Sequence, residues 1–379
     1  MPDYDYIIVG AGAAGLSLLT RMIRSSSFSD KKILLVDRER KTSNDRTWCF
    51  WEKQKGFFEE IVYKKWQSLW FYAPSYSAKN NIYPYEYKLI RGIDFYNYCF
   101  DLIQTAPNVE VRYGNADHVI STDTETWIEM EGQKITAAFI FSSIIPGKPK
   151  QKPSFHLLQH FKGWVISTEE KNFNATEATL MDFRVPQLNG TTFFYVMPFA
   201  DNRALVEYTI FSESILAEEV YVQSLNEYIA DTLKVKSFRI ESEEFGVIPM
   251  TDRIFPERTN NLIYIGTAGG NTKPSSGYTF QFIQKHTEKL LSALLQNGAP
   301  FISKPVMDKR FHLYDSTLLN ILSHHKMEGT EVFTKLFRNN NITDVLQFLD
   351  NETTLLQEMR LVTVLPRKLF VRAALQQLL

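Results

Sequence analysis

Three glycines near the start of the chain, Gly10, Gly12 and Gly15, follow an apolar run, Tyr6-Ile7-Ile8-Val9, and lead into an apolar helical pattern from Leu16 to Leu19. These types at this spacing suit a turn that receives a pyrophosphate. Gly10 permits the sharp turn, Gly12 carries no side chain to block the phosphates, and Gly15 lets the helix pack closely on the strand. The first N–H groups of that helix, around Ala13 and Ala14, and the positive end of its dipole then face the anion. A second apolar strand, Lys32 to Val36, ends in Asp37 at the distance expected of a ribose-binding carboxylate. An acid there favours a free ribose hydroxyl over a 2′-phosphate, so the resident nucleotide is expected to be FAD or NAD, not NADP.

Positioning such a site takes more than one small core. At 379 residues the natural division is a dinucleotide-binding domain carrying an inserted second domain. Lys and Arg number 42 against 43 Asp and Glu, a balance that offers no field to nucleic acid, and no nucleic-acid module is recognisable. Only Cys49 and Cys99 are present and the first strand begins almost at Met1, so neither a disulfide framework nor a signal peptide is expected, and the compartment should be the cytoplasm. No stretch approaches the roughly 20 apolar residues of a membrane span.

Further along, Asn44 to Trp51 mixes charge with bulky aromatics and is expected to pack near the cofactor, with Arg46 in contact. Tyr87 to Gly92 reads as a short strand, and Asp94 is placed to cap the helix that holds Phe95, Tyr98, Cys99 and Leu102. Val109 to Tyr113 and Trp127 to Met130 alternate as a small sheet would, and Phe139 to Phe141 is a buried strand running to a turn at Pro146-Gly147. Strands at Ala178 to Phe183, Thr191 to Met197 and Ala204 to Thr209 suggest an antiparallel sheet, followed by a helix from Tyr221 to Leu233 and a return to the first domain at Gly246 to Pro249. A strand at Leu262 to Ile265 then leads to a second glycine-rich contact, Gly266 to Gly270, and Gly277 opens another helix. From about Pro300 the pattern is helical and amphipathic. The fold class is therefore α/β: residues 1–150 and 245–300 for a Rossmann-like dinucleotide-binding domain, 151–244 for an inserted domain with an antiparallel sheet, and 301–379 for a helical C-terminal region.

Taken in order, Gly10 to Gly15, Asn44 to Trp51, Met181-Asp182-Phe183-Arg184, Phe194 to Phe199, Leu205-Val206-Glu207-Tyr208-Thr209, and Gly266 to Gly270 with Pro274 to Tyr278 resemble the bacterial lycopene beta-cyclases. The resemblance runs from residue 3 to about 285, and the wider architecture is similar to that of the flavin-dependent aromatic hydroxylases. It implies FAD, held by Gly10, Gly12, Ala13, Ala14, Gly15, Asp37, Arg46, Arg91, Gly266, Thr267, Gly269, Gly277 and Tyr278 and kept reduced by NAD(P)H. The hydroxylases carry Asp where this chain has Thr267, a departure that the cyclases share.

Ring closure at the end of a linear carotenoid needs a proton for a terminal alkene, attack on the resulting cation by a neighbouring double bond, and loss of a ring proton. The resemblance assigns the acid/base work to Glu207, with Asp182 and Arg184 as a pair that positions the active-site strand; strand alternation alone would turn Glu207 to solvent beside Val206 and Tyr208. Trp48, Phe50, Trp51 and Tyr195 are candidates for cation–π support. A bilayer-dissolved substrate implies a peripheral location at the inner face of the cell membrane, and Arg360 to Arg372 reads as a helix lying on anionic lipid. No metal is expected, since the adjacent His324 and His325 cannot face one ion from a helix. Two other classes stay open: an FAD-dependent monooxygenase or reductase acting on a lipophilic isoprenoid, and a non-catalytic carotenoid carrier.

Overall fold

The computed structural model describes residues 1–145, 147, 155–302 and 307–377. Pro146 of the expected turn, the expected domain boundary at residues 150 and 151, and part of the expected helical stretch after Pro300 lie outside them.

The first layer is built as the glycine pattern requires. Tyr4–Val9 lies between the parallel strands Ile33–Asp37 and Gln133–Ser142, with Val109–Tyr113 beyond the former and Leu262–Tyr264 beyond the latter. Val109–Tyr113 is thus part of this parallel sheet, while Thr126–Met130 pairs in antiparallel fashion with Gln133–Ser142. The inner strands read as nearly continuous apolar runs because both faces are covered. On one face the helix Ala13–Arg24 packs against Phe280–Asn297, and buried polar groups lock the pair: Arg21 Nη1 donates to Gln284 Oε1 at 2.9 Å, and Gln284 Nε2 donates to Ser17 Oγ at 3.0 Å.

The second sheet has seven strands, in the order Arg239–Thr251, His156–Ser167, Arg203–Ser212, Thr191–Ala200, Glu177–Asp182, Ser68–Ala73 and Tyr76–Asn81. It differs from the expected division at both ends. Ser68–Asn81, inside the segment expected to serve the nucleotide domain, extends it through one parallel pairing with Glu177–Asp182. Gly246 to Pro249, expected to mark the return to the first domain, pairs along His156–Ser167 within one continuous strand. Backbone hydrogen bonding decides both cases: an extended apolar segment joins whichever sheet offers it an open edge.

Both faces of this sheet are covered. Trp164, Phe194, Val206 and Tyr208 face the helix Glu218–Glu227 and the irregular turn after it. Leu180, Phe193, Tyr195, Leu205 and Phe211 face the opposite way, into a core closed by the helices Met307–Ser323, Gly329–Asn339, Ile342–Leu349 and Leu355–Val362. Aromatic stacking fastens this lid: Phe71 lies on Phe337 with centroids 4.4 Å apart, and Phe183 on Phe333 at 5.6 Å.

The segment expected to lie on lipid is not one helix. It ends the helix Leu355–Val362 and begins Arg367–Leu375, and Leu361, Leu365 and Ala373 are buried against the protein. Leu355, Leu356, Met359, Val371 and Leu375 remain exposed. No helix among the described residues is long and apolar enough to cross a membrane.

Truncating Phe337 to Ala is expected to cost about 3–5 kcal/mol in urea denaturation and to speed proteolysis of the C-terminal helices, because it removes one half of a fully buried stack.

Candidate active site

At the phosphate turn, Ala11 N–H donates to Asp37 Oδ2 at 2.6 Å, so the turn and the carboxylate at the second strand's end form one unit. A Cβ on Gly15 would strike the carbonyl of Gly10, which is the close approach that the third glycine serves. At Gly12 a Cβ would meet nothing within 4 Å. The helix begins there with no side-chain cap and no acidic residue in its first turn. Open space before unsatisfied N–H groups fits a pyrophosphate. The second glycine motif closes on the first: Gly266 sits at φ +61° and a Cβ there would stand 3.1 Å from Ala14 Cβ. These residues therefore fit a dinucleotide.

Thr267, in the turn Gly266–Gly269, is hydrogen-bonded to Thr272 at 3.1 Å, and Thr279 Oγ1 donates to Thr272 at 3.2 Å and to the Gly277 carbonyl at 2.8 Å. This run of hydroxyls ties the late glycine motif to Tyr278. Arg91 forms the N-cap of Gly92–Gln104, but its guanidinium is held by Asp94 through two bonds, at 2.5 and 2.7 Å, and lies over Tyr63. Asp94 consequently does not cap the helix as expected; Asn44 Oδ1 accepts from Ile93 N–H instead. Arg46 pairs with Asp45, and its carbonyl accepts from Gly92 N–H at 2.8 Å.

Glu207 projects from Arg203–Ser212 toward the lidded face, in register with Tyr195. The solvent-facing orientation fails because the other face of the strand is covered as well. Around Glu207 lie Cys49, Tyr195, Tyr278 and a second carboxyl, Glu244. Thr209 Oγ1 donates to Glu207 Oε1 at 2.9 Å, and Thr47 Oγ1 donates to Glu244 Oε2 at 2.8 Å. Burial first, and then the neighbouring Glu244 charge, push the Glu207 carboxyl well above the usual carboxylate range. Burial also raises Glu244, opposed by its bonds to Thr47 and Glu207. Cys49 and Tyr195 are pushed far up by the same enclosure and stay neutral. An acid held in its protonated form among aromatic rings can deliver a proton to an apolar acceptor.

The remaining expected groups separate. Trp51 turns toward this site, edge-on to Tyr278 at 4.7 Å, and Tyr195 borders Glu207. Trp48 and Phe50, one residue out of phase, pack instead on Phe280 in the core of the first layer. Asp182 and Arg184 do form an ion pair, at 2.6 and 2.9 Å, but Asp182 also accepts from Tyr228 at 2.8 Å and pairs in register with Phe194. Phe194 and Tyr228 stack beneath the helix Glu218–Glu227, on the face away from Glu207. The pair is thus not brought together with the carboxyl it was grouped with. Glu244, conversely, stood in no motif; its signal was a Glu on an edge strand whose neighbour across the sheet is a glycine. Among the described residues no cluster of His, Cys, Asp and Glu could hold a metal ion.

A two-layer chain of this kind, a Rossmann-like layer with an inserted sheet, has the fold of the FAD-dependent, aromatic-hydroxylase-like flavoproteins. A geranylgeranyl bacteriochlorophyll reductase-like protein from Thermoplasma acidophilum matches over 99% of each chain with a TM-score of 0.61 and 13% identity. The p-nitrophenol 4-monooxygenase of Pseudomonas putida matches over 98% of this chain and 97% of its own with a TM-score of 0.59, also at 13% identity. Within that class the chain belongs to the lycopene cyclase protein family, whose model matches residues 5–378. It is 24% identical to the lycopene beta-cyclase of Pantoea ananas over 298 residues, 73% of this chain and 71% of the relative. It is 30% identical to the lycopene beta cyclase of Narcissus pseudonarcissus over 129 residues, 31% of this chain and 25% of the relative.

Replacing Asp182 by Asn is expected to lower stability by about 1–3 kcal/mol, seen as an earlier thermal transition. It should leave the titration of Glu207, followed by its infrared carboxyl band, unmoved, because the two groups occupy opposite faces.

Proposed function

We propose that this protein is a lycopene beta-cyclase that closes the linear end groups of lycopene into beta-ionone rings without net redox change, working with reduced FAD. The observation that carries the reading is the half-buried carboxyl of Glu207, set beside Glu244 and bordered by Tyr195, Tyr278 and Cys49, where burial and the Glu244 charge raise its pKa. Membership of the lycopene cyclase family supports it.

FAD would be held by the turn Gly10 to Gly15, by Asp37 and by the Gly266 to Gly269 turn, and when bound and reduced by NAD(P)H it supplies negative potential beside a cationic substrate. The protein's own groups do the rest. Glu207 gives its proton to a terminal alkene, and its carboxylate afterwards recovers a proton from the ring. The rings of Trp51, Tyr195 and Tyr278 face the developing cation, each worth about 0.5–2 kcal/mol where desolvated. The C-terminal helices that pack over this face of the sheet limit the water that would quench it. Contact with the bilayer surface, where such a substrate resides, is assigned to the exposed Leu355, Leu356, Met359 and Val371, on the same two helices as Arg360, Lys368 and Arg372.

Two experiments test the reading. In a lycopene-accumulating bacterium the protein should shift the pigment to beta-carotene, and Glu207→Gln should slow that conversion by about 10²–10⁴-fold; lycopene left unaltered by the folded, flavin-loaded wild type would exclude a cyclase. Gly12→Val, which fills the open space before the helix, should yield a folded protein without its flavin absorbance. Full flavin content in that variant would place the cofactor elsewhere.

A further inference from the structure

Glu244 lies beside Glu207 because of sheet register. Gly163, on the strand between them, stands opposite Glu207 on one side and Glu244 on the other. Adjacent strands are about 4.8 Å apart, so residues two strands apart are separated by about 10 Å. Two glutamate side chains meet across that span only where the middle residue leaves room. A methyl group on Gly163 would stand 3.1 Å from Glu244 Cγ and 3.1 Å from Leu205 Cδ1.

The oxygens point to a shared proton. Thr47 serves Glu244 Oε2 and Thr209 serves Glu207 Oε1. Glu244 Oε1 is buried and receives no donor among the described residues if both carboxyls are ionised. One proton between the two carboxyls supplies the missing donor and removes the repulsion of two like charges. The Thr47 hydroxyl favours the ionised form of Glu244, the Asp45 and Arg46 charges act on it in opposite directions, and the bond between the two carboxyls lowers Glu244 while it raises Glu207, so the proton is assigned to Glu207. The other ionisable groups facing the pair are Asp45 and Cys49 on either side of Thr47, Tyr195 on the neighbouring strand, Tyr278 on the loop, and Tyr87 behind Cys49.

We propose that Glu244 is a positioning residue, the second member of a proton-sharing pair whose carboxylate holds the Glu207 hydroxyl in place before ring closure and makes Glu207 basic enough afterwards to take a proton back. The proposal rests on the cyclase reading. The Glu207 O–H bond breaks as a C–H bond forms on the terminal alkene, and a neighbouring double bond closes the ring. A ring C–H bond then breaks, its electrons forming the new double bond while its proton returns to Glu207. The pair passes from one negative charge to two and back, and no electrons are lost or gained.

The test is Glu244→Gln, which removes the charge and keeps the shape. Glu207 then loses a repelling neighbour and gains an amide donor. Its protonated-carboxyl infrared band, assigned by its absence in Glu207→Gln, should titrate about one pH unit or more lower, a tenfold or greater rise in acidity. The alkaline limb of cyclisation should move down with it, and Glu244→Asp should recover part of the shift. Gly163→Ala, which displaces Glu244 without removing it, should shift the band in the same direction. An unmoved band in either folded variant, or no such band in the wild type at neutral pH, overturns the pair. The infrared titration needs no substrate: a band that moves as described in a protein that leaves lycopene unaltered would refute the cyclase reading alone, whereas cyclisation with an unmoved band would refute the pair alone.

Discussion

A carboxyl whose pKa is raised by burial must be taken largely out of water, and the architecture of this chain serves that constraint at Glu207. An ionised carboxylate taken out of water costs several kcal/mol unless a cation or several donors accompany it. The second sheet supplies the enclosure by being covered twice, by the helix Glu218–Glu227 on one face and by the C-terminal helices on the other. The stacks Phe71–Phe337 and Phe183–Phe333 hold those C-terminal helices onto the face of the sheet toward which Glu207 projects. The same lid receives Trp51, whose Nε1 donates to the Leu346 carbonyl at 3.2 Å.

The two layers meet at the carboxyls. Thr47 begins a strand that runs beside Glu86–Arg91, and its hydroxyl reaches across to Glu244 in the second sheet. Along another route, Thr267, Thr272 and Thr279 carry hydrogen bonds from the late glycine turn to the backbone just before Tyr278. A change at the late glycine turn is thus connected through one short polar path to the backbone beside Tyr278, which borders Glu207. Hydroxyls suit this task, since each is both donor and acceptor and adds no charge to a site already holding two carboxyls.

What was legible in the sequence was local. Gly10, Gly12, Gly15 and Asp37 lie within one strand–turn–helix–strand unit, so spacing alone carried its local geometry, in which Ala11 N–H donates to Asp37. The orientation of Glu207 was not legible from alternation, because that rule assumes one wet face and at this strand both faces are packed against helices, which leaves Glu207 half-buried. Asp182 and Glu207 belong to the same family of motifs but to opposite faces, a distinction set by the pairings Asp182 with Phe194 and Glu207 with Tyr195. Glu244 stayed hidden for a related reason: its neighbour is chosen by register with Gly163, some eighty positions away in sequence. Ser68–Asn81 was misplaced because a strand's sequence says what pairs well, not which edge is open.

The enclosure also governs what the site does not contain. Glu207 is bordered by Cys49, Tyr195 and Tyr278, all potential nucleophiles that would trap a carbocation if they were ionised. Burial raises each of them, so the thiol stays a thiol and the phenols stay phenols, presenting polarisable faces and rings in place of reactive anions. One physical cause, desolvation, thus keeps the acid loaded and its surroundings inert at once. The negative charge that the site does tolerate is drawn toward Glu244, whose Oε2 accepts from the Thr47 hydroxyl. In the proposed reaction Glu207 gives a proton to carbon and takes one back, while Glu244 keeps its charge and its bond to Thr47 throughout.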